Sequence, residues 1–573
     1  MKFLALFIVL GVLGIKAHEG RHFFHKAVFI KFIQSQPKVC TDEVGCFQGK
    51  YERGLEKPYE AFYGIPYAES PVGKLRFEDP LPHSGWYGYW DASYPRSDCL
   101  QRNVYIASQP VVGSEDCLYL NVYRPLLRSS EKLPVIVYIH GGGWFTFSSN
   151  PRQYGPEYFM DNRQVILVTL NYRLGILGFL CSGDEAVRGN FGLKDQQMAL
   201  KWVASNIEAF GGNPDSITLV GQSAGAASTH FHMMNPESQA QFHRAVMMSG
   251  SALSQWSLYY DNYEPRYRLN AKYAGIENAD SASTYELANE LKKLDAMSFI
   301  EATDKEQIVF GVPVTPHRPC IEGDWIGAFI KEDPMKVWTE GRFVQKPILA
   351  GYTRDEGVFA AVTTTNSTAL EEFNRDIYNI LPIALDFDPE YTADVIKFYF
   401  GNKDYIDETN AKEYYKMFGE RLITQPMIVT FKEYLKYADV GRNPLYLYEF
   451  AFEGPYSLLS IMSGKDLNLG VSHSDDLLFL FTMTDFFPPF EVNSVERRMA
   501  DIYVETLVHF ASHGQMKIWR NFRPCTAATA NPYCDRQVFE RSNKEADWDQ
   551  IMVTVTNQIN EEMVDFWNRI DVR

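Results

Sequence analysis

The chain has 573 residues, 46% of them hydrophobic and 22% charged, which is typical of an ordinary globular protein. Its formal net charge is -17. No cluster of Lys and Arg offers the cationic surface that binding to nucleic acid requires, so we expect no nucleic-acid partner. No linker, low-complexity tract or repeat divides the sequence. We therefore expect one large domain with insertions over residues 18–573.

The N-terminal residues 1–17 are predicted to be a signal peptide. Lys2 gives a positive start, residues 3–13 form an apolar run, and the small residues Gly14 and Ala17 lie near a plausible cleavage site. The alternative is a buried N-terminal helix. Neither this run nor any later one is long enough to span a bilayer, and no apolar tail indicates a lipid anchor. The protein is thus expected to be secreted, without a stable membrane anchor.

Eight cysteines in an exported chain favour disulfides, although eight cysteines allow 105 pairings. Three pairs are close enough in sequence to close short loops: Cys40 with Cys46, Cys99 with Cys117, and Cys525 with Cys534. Cys181 follows an apolar segment and is interpreted as a buried free thiol, while Cys320 is left unassigned. Asn366-Ser367-Thr368 is the only N-glycosylation sequon, so a glycan is expected on Asn366.

Continuous apolar segments predict buried strands at residues 135–139, 165–170, 217–220, 348–350 and 445–450. Such runs suit a mostly parallel sheet covered by helices on both faces. A helix is predicted over residues 195–210, ending at Gly211-Gly212. Strands that alternate with helices indicate an α/β fold. Residues 255–310 and 368–441 are expected to be helical insertions that build a cap over one edge of the sheet.

A glycine-rich loop, Gly141-Gly142-Gly143, follows His140 at the end of the first predicted strand. Three glycines leave backbone N–H groups free to converge on an anion, and a His-Gly-Gly-Gly segment after an early strand is typical of a hydrolase oxyanion hole. The alternative is a merely flexible loop. His140 itself is expected to be structural.

The segment Gly221-Gln222-Ser223-Ala224-Gly225 follows the strand at residues 217–220 and precedes a helix-compatible run. This context indicates a nucleophile elbow, in which flanking glycines permit a tight turn that presents Ser223 above the sheet. The helix N-terminus and the Ala224 N–H are then expected to face a developing oxyanion. An ordinary glycine-rich turn is the alternative.

The candidate base lies late in the chain. His473 occupies a loop after the strand at residues 445–450, whereas His509 and His513 belong to an amphipathic helical pattern. The candidate acid is Asp355 or Glu356, which both follow the strand at residues 348–350, and spacing alone leaves the choice open. Neighbouring Arg354 is expected to be a structural partner.

These pieces resemble the type-B carboxylesterase and cholinesterase family over nearly the whole mature chain. Further motifs that carry the resemblance are Tyr63-Gly64-Ile65-Pro66-Tyr67-Ala68, Arg76-Phe77, Ser114-Glu115-Asp116-Cys117-Leu118-Tyr119-Leu120-Asn121, Asn171-Tyr172-Arg173 and Asp195-Gln196. The resemblance implies an α/β-hydrolase fold. It also implies an activity that requires neither a metal ion nor an organic cofactor. It also implies these roles: a triad of Ser223, Glu356 and His473; oxyanion N–H groups from Gly142, Gly143 and Ala224; a supporting Ser249; a disulfide between Cys99 and Cys117; and ion pairs Arg76–Glu115 and Arg173–Asp195.

Within that family, Gln222 stands where cholinesterases have Glu, and the loop from Cys99 to Cys117 lacks their choline-stacking Trp. The combination of Gly-Gln-Ser-Ala-Gly with Gly470-x-x-His473-x-x-Asp476 resembles insect juvenile hormone esterases, although a basic pattern often found in them, [RK]-x6-[RK]-x3-R, is absent. We therefore expect a serine esterase for neutral, apolar, small-molecule esters. The alternatives are an odorant-degrading or detoxifying esterase, a neutral lipase and a non-catalytic adhesion protein like the neuroligins.

Overall fold

A computed structural model describes residues 36–103, 106, 109–126, 132–260, 263–306, 308, 312, 314–401, 403–516, 523–526, 534–541, 551–556 and 559–571. The predicted signal peptide, residues 1–17, lies outside the described residues.

The strands of the described part form two sheets. They are β1 (Lys38–Thr41), β2 (Gly45–Gln48), β3 (Lys50–Arg53), β4 (Pro58–Pro66), β5 (Tyr89–Asp91), β6 (Tyr119–Pro125), β7 (Leu133–Ile139), β8 (Ile166–Leu170), β9 (Gly212–Gln222), β10 (Arg244–Met248), β11 (Ile348–Thr353), β12 (Leu445–Ala451), β13 (Arg536–Arg541) and β14 (Ile551–Thr556). A small sheet has the order β1-β2-β5, and an 11-stranded sheet has the order β14-β13-β12-β11-β10-β9-β7-β8-β6-β4-β3.

The central strands of the large sheet, from β8 to β13, pair in parallel. The strands toward its two ends pair antiparallel. The predicted mostly parallel sheet is therefore confirmed, and the five predicted strands are β7, β8, β9, β11 and β12. Every residue of β8 and β12 is buried, which accounts for their mostly apolar sequences.

The helices are α1 (Glu157–Asn162), α2 (Gly175–Phe179), α3 (Phe191–Asn206), α4 (Ala224–Met234), α5 (Tyr263–Tyr273), α6 (Thr284–Leu291), α7 (Met297–Lys305), α8 (Pro334–Thr339), α9 (Ala361–Thr364), α10 (Ser367–Arg375), α11 (Ile377–Leu385), α12 (Thr392–Phe400), α13 (Ala411–Gly419), α14 (Gln425–Tyr437), α15 (Leu458–Ser463), α16 (Val495–His513) and α17 (Glu561–Ile570). The predicted helix at residues 195–210 corresponds to α3, which begins four residues earlier, and to the 3-10 turn Ile207–Phe210 that follows it. Gly211, at a φ of 85°, ends that turn as expected.

Helices cover both faces of the sheet, as predicted. Alternate residues of β7 show this, because Val137 packs in one hydrophobic cluster and Ile136 in another. The first cluster contains Phe231 of α4, and the second contains Leu507 of α16. The helical insertions lie between β10 and β11 and between β11 and β12. Within the described ranges, every helix is too short or too polar to span a lipid bilayer.

Three disulfides cross-link the described chain: Cys40–Cys46, Cys99–Cys117 and Cys525–Cys534. Cys181 and Cys320 are both buried free thiols. Asn366 is exposed at the start of α10, where its side-chain oxygen accepts a hydrogen bond from the Ala369 N–H. The two ion pairs implied by the resemblance are present, with closest N–O distances of 2.6 Å for Arg76–Glu115 and 2.7 Å for Arg173–Asp195.

Candidate active site

The candidate site lies at the carboxyl ends of the central parallel strands, which meet at one edge of the sheet. Ser223 follows β9, Ser249 follows β10, and Glu356 and His473 come after β11 and β12. A sheet of this type thus brings together side chains that are far apart in the sequence.

The turn at Ser223 is a strained strand-to-helix junction. Ser223 has φ 56° and ψ -123°, and its N–H donates to the Met248 carbonyl at 2.8 Å. A β-carbon on Gly221 would lie 2.0 Å from the Gly225 oxygen, and one on Gly225 would lie 2.1 Å from the Ile139 oxygen. Only glycine fits these two positions, which is the physical reason for the Gly-x-Ser-x-Gly spacing.

Glu356 and His473 are in direct contact. His473 Nδ1 lies 2.5 Å from Glu356 Oε2, and the carboxylate is 2% exposed. The other oxygen, Oε1, accepts hydrogen bonds from Ser249 Oγ at 2.5 Å and from the Thr353 N–H at 2.8 Å. The carboxylate is therefore fixed on both sides and orients the imidazole.

Asp355, the other carboxyl that the sequence left open, lies elsewhere. Its Oδ2 accepts the Val471 N–H at 3.0 Å, so it holds the backbone of the histidine loop and does not contact the imidazole. Arg354 pairs with Glu449 at 2.8 Å, in agreement with the structural role expected for it.

Ser223 and His473 line the same cavity, but no hydrogen bond among the described residues engages Ser223 Oγ. Instead, the Gln222 amide nitrogen lies 3.3 Å from His473 Nε2 and donates to Ser474 Oγ at 2.7 Å. Contacts between a nucleophile and its base are often long in ligand-free enzymes and shorten when substrate binds. Sequence reasoning treated Gln222 only as a neutral residue and missed its contact with the imidazole.

The glycine loop borders the cavity at Gly142 and Gly143, which have φ values of 90° and 58°. The Gly142 carbonyl accepts the N–H groups of Phe145 and Thr146, both at 3.1 Å, which closes the loop on itself. Within the described chain, the N–H groups of Gly142, Gly143 and Ala224 make no hydrogen bond to protein. Ala224 is the first residue of α4, so its N–H points out of the helix N-terminus.

His140 is buried and has no route to the reacting groups. Its ring stacks on Tyr172 with centroids 4.4 Å apart, and burial lowers its pKa to about 4. The side chain is therefore neutral at physiological pH and packs as an aromatic ring, which agrees with the structural role expected for it.

The cavity is almost entirely apolar. Its walls come from the sheet edge, from both insertions, and from the segments before β6, after β7 and after β12. Besides Gln222, Ser223, His473 and the two glycines, they comprise Ile106, Phe147, Tyr154, Trp256, Val314, Thr315, Phe359, Leu422, Ile423, Leu458, Ile461, Met462, Ser474, Leu477, Met483 and Phe486. Sequence analysis assigned none of these residues to a cavity wall, because no motif marks such a position.

Two buried carboxyl groups, Asp475 and Asp476, follow His473 in the sequence; the sequence analysis cited Asp476 only as part of a motif and assigned a role to neither. Burial raises the pKa of both Asp475 and Asp476 to about 7, with a further contribution from the charge of Glu356 in the case of Asp476. Asp475 accepts hydrogen bonds from Ser457 and from two backbone N–H groups, and Asp476 accepts one from Tyr503. They brace the loop that carries His473.

Known proteins resemble this chain along most of its length. A sequence profile of the carboxylesterase family matches residues 35–567. Juvenile hormone esterase of Tribolium castaneum is 34% identical over 507 residues, which cover 84% of each chain. Esterase E4 of Myzus persicae is 33% identical over 534 residues, covering 88% of this chain and 93% of the relative.

The fold has a solved counterpart as well. The crystal structure of juvenile hormone esterase from Manduca sexta, with OTFP covalently attached, matches with a TM-score of 0.80 at 26% identity, covering 93% of this chain and 99% of that chain. The sheet, its elbow and its covering helices thus define an α/β-hydrolase fold, as predicted. The chain belongs to the carboxylesterase family and is a carboxylic ester hydrolase.

Proposed function

We propose that this protein is a secreted serine carboxylesterase that hydrolyses neutral, apolar esters, with Ser223 as nucleophile, His473 as base and Glu356 as the orienting acid. One observation carries the proposal: Ser223, His473 and the two glycines border one apolar cavity. His473 is at the same time in contact with the buried Glu356 at 2.5 Å.

The reaction follows from these positions. Substrate binding lets Ser223 replace Gln222 as the partner of His473 Nε2, and His473 takes the hydroxyl proton as Ser223 Oγ attacks the ester carbonyl. The N–H groups of Gly142, Gly143 and Ala224 stabilise the tetrahedral oxyanion. His473 then returns the proton to the departing alcohol, and water repeats the sequence on the acyl-enzyme to release the carboxylic acid.

The substrate class is argued from the cavity. Apart from the reacting groups, its polar side chains are Tyr154, Gln222, Thr315 and Ser474, and none of its lining residues carries a carboxylate. An unpaired cation would be costly in such a site, whereas an uncharged acyl or alcohol group gains by burial. The relatives named juvenile hormone esterase favour a hormone-like ester over an odorant or xenobiotic ester.

Secretion is supported by the three disulfides, which persist in oxidising compartments. The exposed sequon at Asn366 is accessible to glycosylation in that pathway. Expression of the full chain in insect cells should deliver the protein to the medium, with a mass that Asn366→Gln reduces by one glycan. Retention of the protein inside the cells would contradict secretion.

The role of Ser223 is tested by Ser223→Ala. Loss of a triad nucleophile is expected to lower kcat by about 10⁶-fold and to abolish labelling by an organophosphate probe. Ser281→Ala, at an exposed serine of the first insertion, is the matched control and should behave as wild type. Near-normal hydrolysis by the Ser223 variant would overturn the proposal, and an unlabelled, inactive wild type would favour the adhesion-protein alternative.

Rates of hydrolysis of a panel of esters then distinguish the possible substrate classes. A low micromolar KM for juvenile hormone beside poor turnover of small acetates supports a hormone-like ester as the substrate. The opposite profile supports an odorant-degrading or detoxifying esterase, and a jump in rate above the solubility limit of the substrate supports a lipase.

A further inference from the structure

Two free cysteines, Cys181 and Cys320, lie side by side in the described structure. Both are buried, with exposures of 8% and 0%. A β-carbon on Gly189 would lie 2.6 Å from Cys320 Sγ and 3.2 Å from Cys181 Sγ, so the two sulfur atoms share the space above this glycine. Gly189 has a φ of 87°, which independently disfavours any side chain there.

The backbones that carry the two thiols are held in register. Cys181 comes just after α2, whereas Cys320 lies in a segment that pairs with Tyr259. Asn190, which immediately precedes α3, donates to the Cys320 carbonyl at 2.8 Å and accepts the Cys320 N–H at 3.0 Å. The hydrogen bonds from Asn190 thus hold the Cys320 backbone beside the loop that carries Cys181.

We propose that Cys181 and Cys320 form an oxidisable dithiol site, which a disulfide of the glutathione type converts into a fourth cross-link. The Cys181 thiolate attacks the glutathione disulfide, forming a mixed disulfide and releasing one glutathione thiolate. Cys320, after losing its proton to solvent, attacks the Cys181 sulfur of that mixed disulfide, forms the Cys181–Cys320 bond and releases the second glutathione. One disulfide is consumed and one is formed, so electrons balance.

Cys181 reacts first because it is 8% exposed and is followed by the partly exposed residues 183–186, whereas Cys320 is fully buried. The pKa of Cys320 is raised mainly by its burial and, to a smaller extent, by the hydrogen bond between the two thiols. The resolving step therefore needs local opening of the exposed loop, and the finished bond is shielded from reductants by the same burial.

The cross-link has a structural consequence for the cavity. The segment that ends at Cys320 also carries Val314 and Thr315, which line the cavity, and Thr315 Oγ1 donates to the Trp256 carbonyl at 3.1 Å. A bond at Cys320 fastens this wall to the loop that precedes α3, and closes a long chain loop in the unfolded state.

The test begins with purified full-length protein, whose free thiols are counted after denaturation without reductant. A count of zero, with a Cys181–Cys320 peptide recovered under non-reducing conditions, supports the site directly. A protein with two free thiols is incubated with glutathione disulfide below its Tm, and we expect the same cross-linked peptide, a mass loss of two hydrogens and a Tm raised by about 3–5 °C.

Matched variants separate the two steps. Cys320→Ser should stop at a glutathione adduct on Cys181, Cys181→Ser should remain unmodified, and neither should show the rise in Tm. Two free thiols that persist in wild type, or a stable glutathione adduct on Cys181 without the cross-link, would overturn the proposal. The outcome is independent of esterase activity, because no step involves Ser223.

Discussion

Gln222 occupies the place at His473 Nε2 that Ser223 takes in the proposed mechanism. Its amide nitrogen lies 3.3 Å from Nε2 and is anchored by Ser474 Oγ at 2.7 Å. An amide N–H directed at an unprotonated Nε2 fits the tautomer in which Nδ1 carries the proton toward Glu356. Gln222 therefore contacts the imidazole proposed as the base and also lines the cavity.

Replacing Gln222 by Glu should shift the pH profile. A carboxylate beside Nε2 stabilises the protonated imidazole, so the acidic limb of kcat/KM should move to higher pH. Gln222→Met, which is neutral and of similar size, is the control and should leave that limb in place while it loses the contact with Ser474. If the acidic limb of the kcat/KM profile is unchanged in Gln222→Glu, residue 222 does not interact with the imidazole.

Asp476 gives the stability of the protein a predictable pH dependence. Its pKa is raised to about 7 in the folded state, whereas an unfolded Asp ionises near pH 3.9. Between these values the unfolded chain releases the proton while the folded protein retains it, so wild type loses stability as the pH rises from about 4 to 7.

Asp476→Asn removes this titration. Its Tm relative to wild type should therefore increase between about pH 4.5 and pH 7 and stay constant above. Asp565→Asn, at an exposed carboxyl of α17, is the control and should show no such trend. If the difference in Tm between Asp476→Asn and wild type became smaller with rising pH, that result would contradict a neutral Asp476 in the folded protein.

At the level of elements, a π-helical turn, Glu420–Thr424, shapes the cavity wall between α13 and α14. It directs Leu422 and Ile423 into the cavity, and the Leu422 carbonyl accepts the Trp256 indole N–H at 2.6 Å. The turn is anchored by Arg421, which is fully buried and forms a bidentate pair with Asp571 at 2.6 and 2.8 Å. The end of the chain thus positions the wall of the cavity.

Asp571→Asn should widen or loosen that wall. We expect kcat/KM for a bulky ester to fall by about tenfold, mainly through KM, because small displacements of positioning groups are costly. Turnover of a short acetate should change by less than about twofold, and Asp565→Asn, in the helix α17 that precedes Asp571, should match wild type. An equal loss for both esters would indicate general destabilisation.

The elements differ in how far the sequence predicted them. The elbow was predictable because the two flanking glycines are sterically required, and β8 and β12 because burial on both faces demands apolar residues. Spacing alone did not decide between Glu356 and Asp355, because a turn of backbone after β11 determines which of the two adjacent carboxyls meets the imidazole; the family resemblance implied Glu356. The π-helical turn carries no compositional signal of its own.

At the scale of the whole molecule, buried ion pairs hold together segments that the local conformational propensities of their own residues do not bring into contact. Arg173 in the loop after β8 and Asp195 in α3 have side-chain exposures of 4% and 0% and share two hydrogen bonds at 2.7 and 2.8 Å. Removing one partner leaves a buried charge without compensation.

Asp195→Asn should therefore lower the free energy of unfolding by about 3–5 kcal/mol, as measured in urea. Glu237→Gln, which removes the partner of Lys201 at the surface, should cost less than about 1 kcal/mol. The folded fraction of Asp195→Asn should still titrate with an organophosphate at one site per molecule. If Asp195→Asn lowered the free energy of unfolding as little as Glu237→Gln does, Arg173 would have to find another partner in the variant.

The apolar cavity has a further consequence for turnover. Cleavage of an uncharged ester creates a carboxylate, and an anion in such surroundings loses hydration that the walls do not replace. The acid should depart quickly, whereas the released alcohol is uncharged and can remain. We therefore expect inhibition by the alcohol half of a good substrate at concentrations where its acid half has no effect.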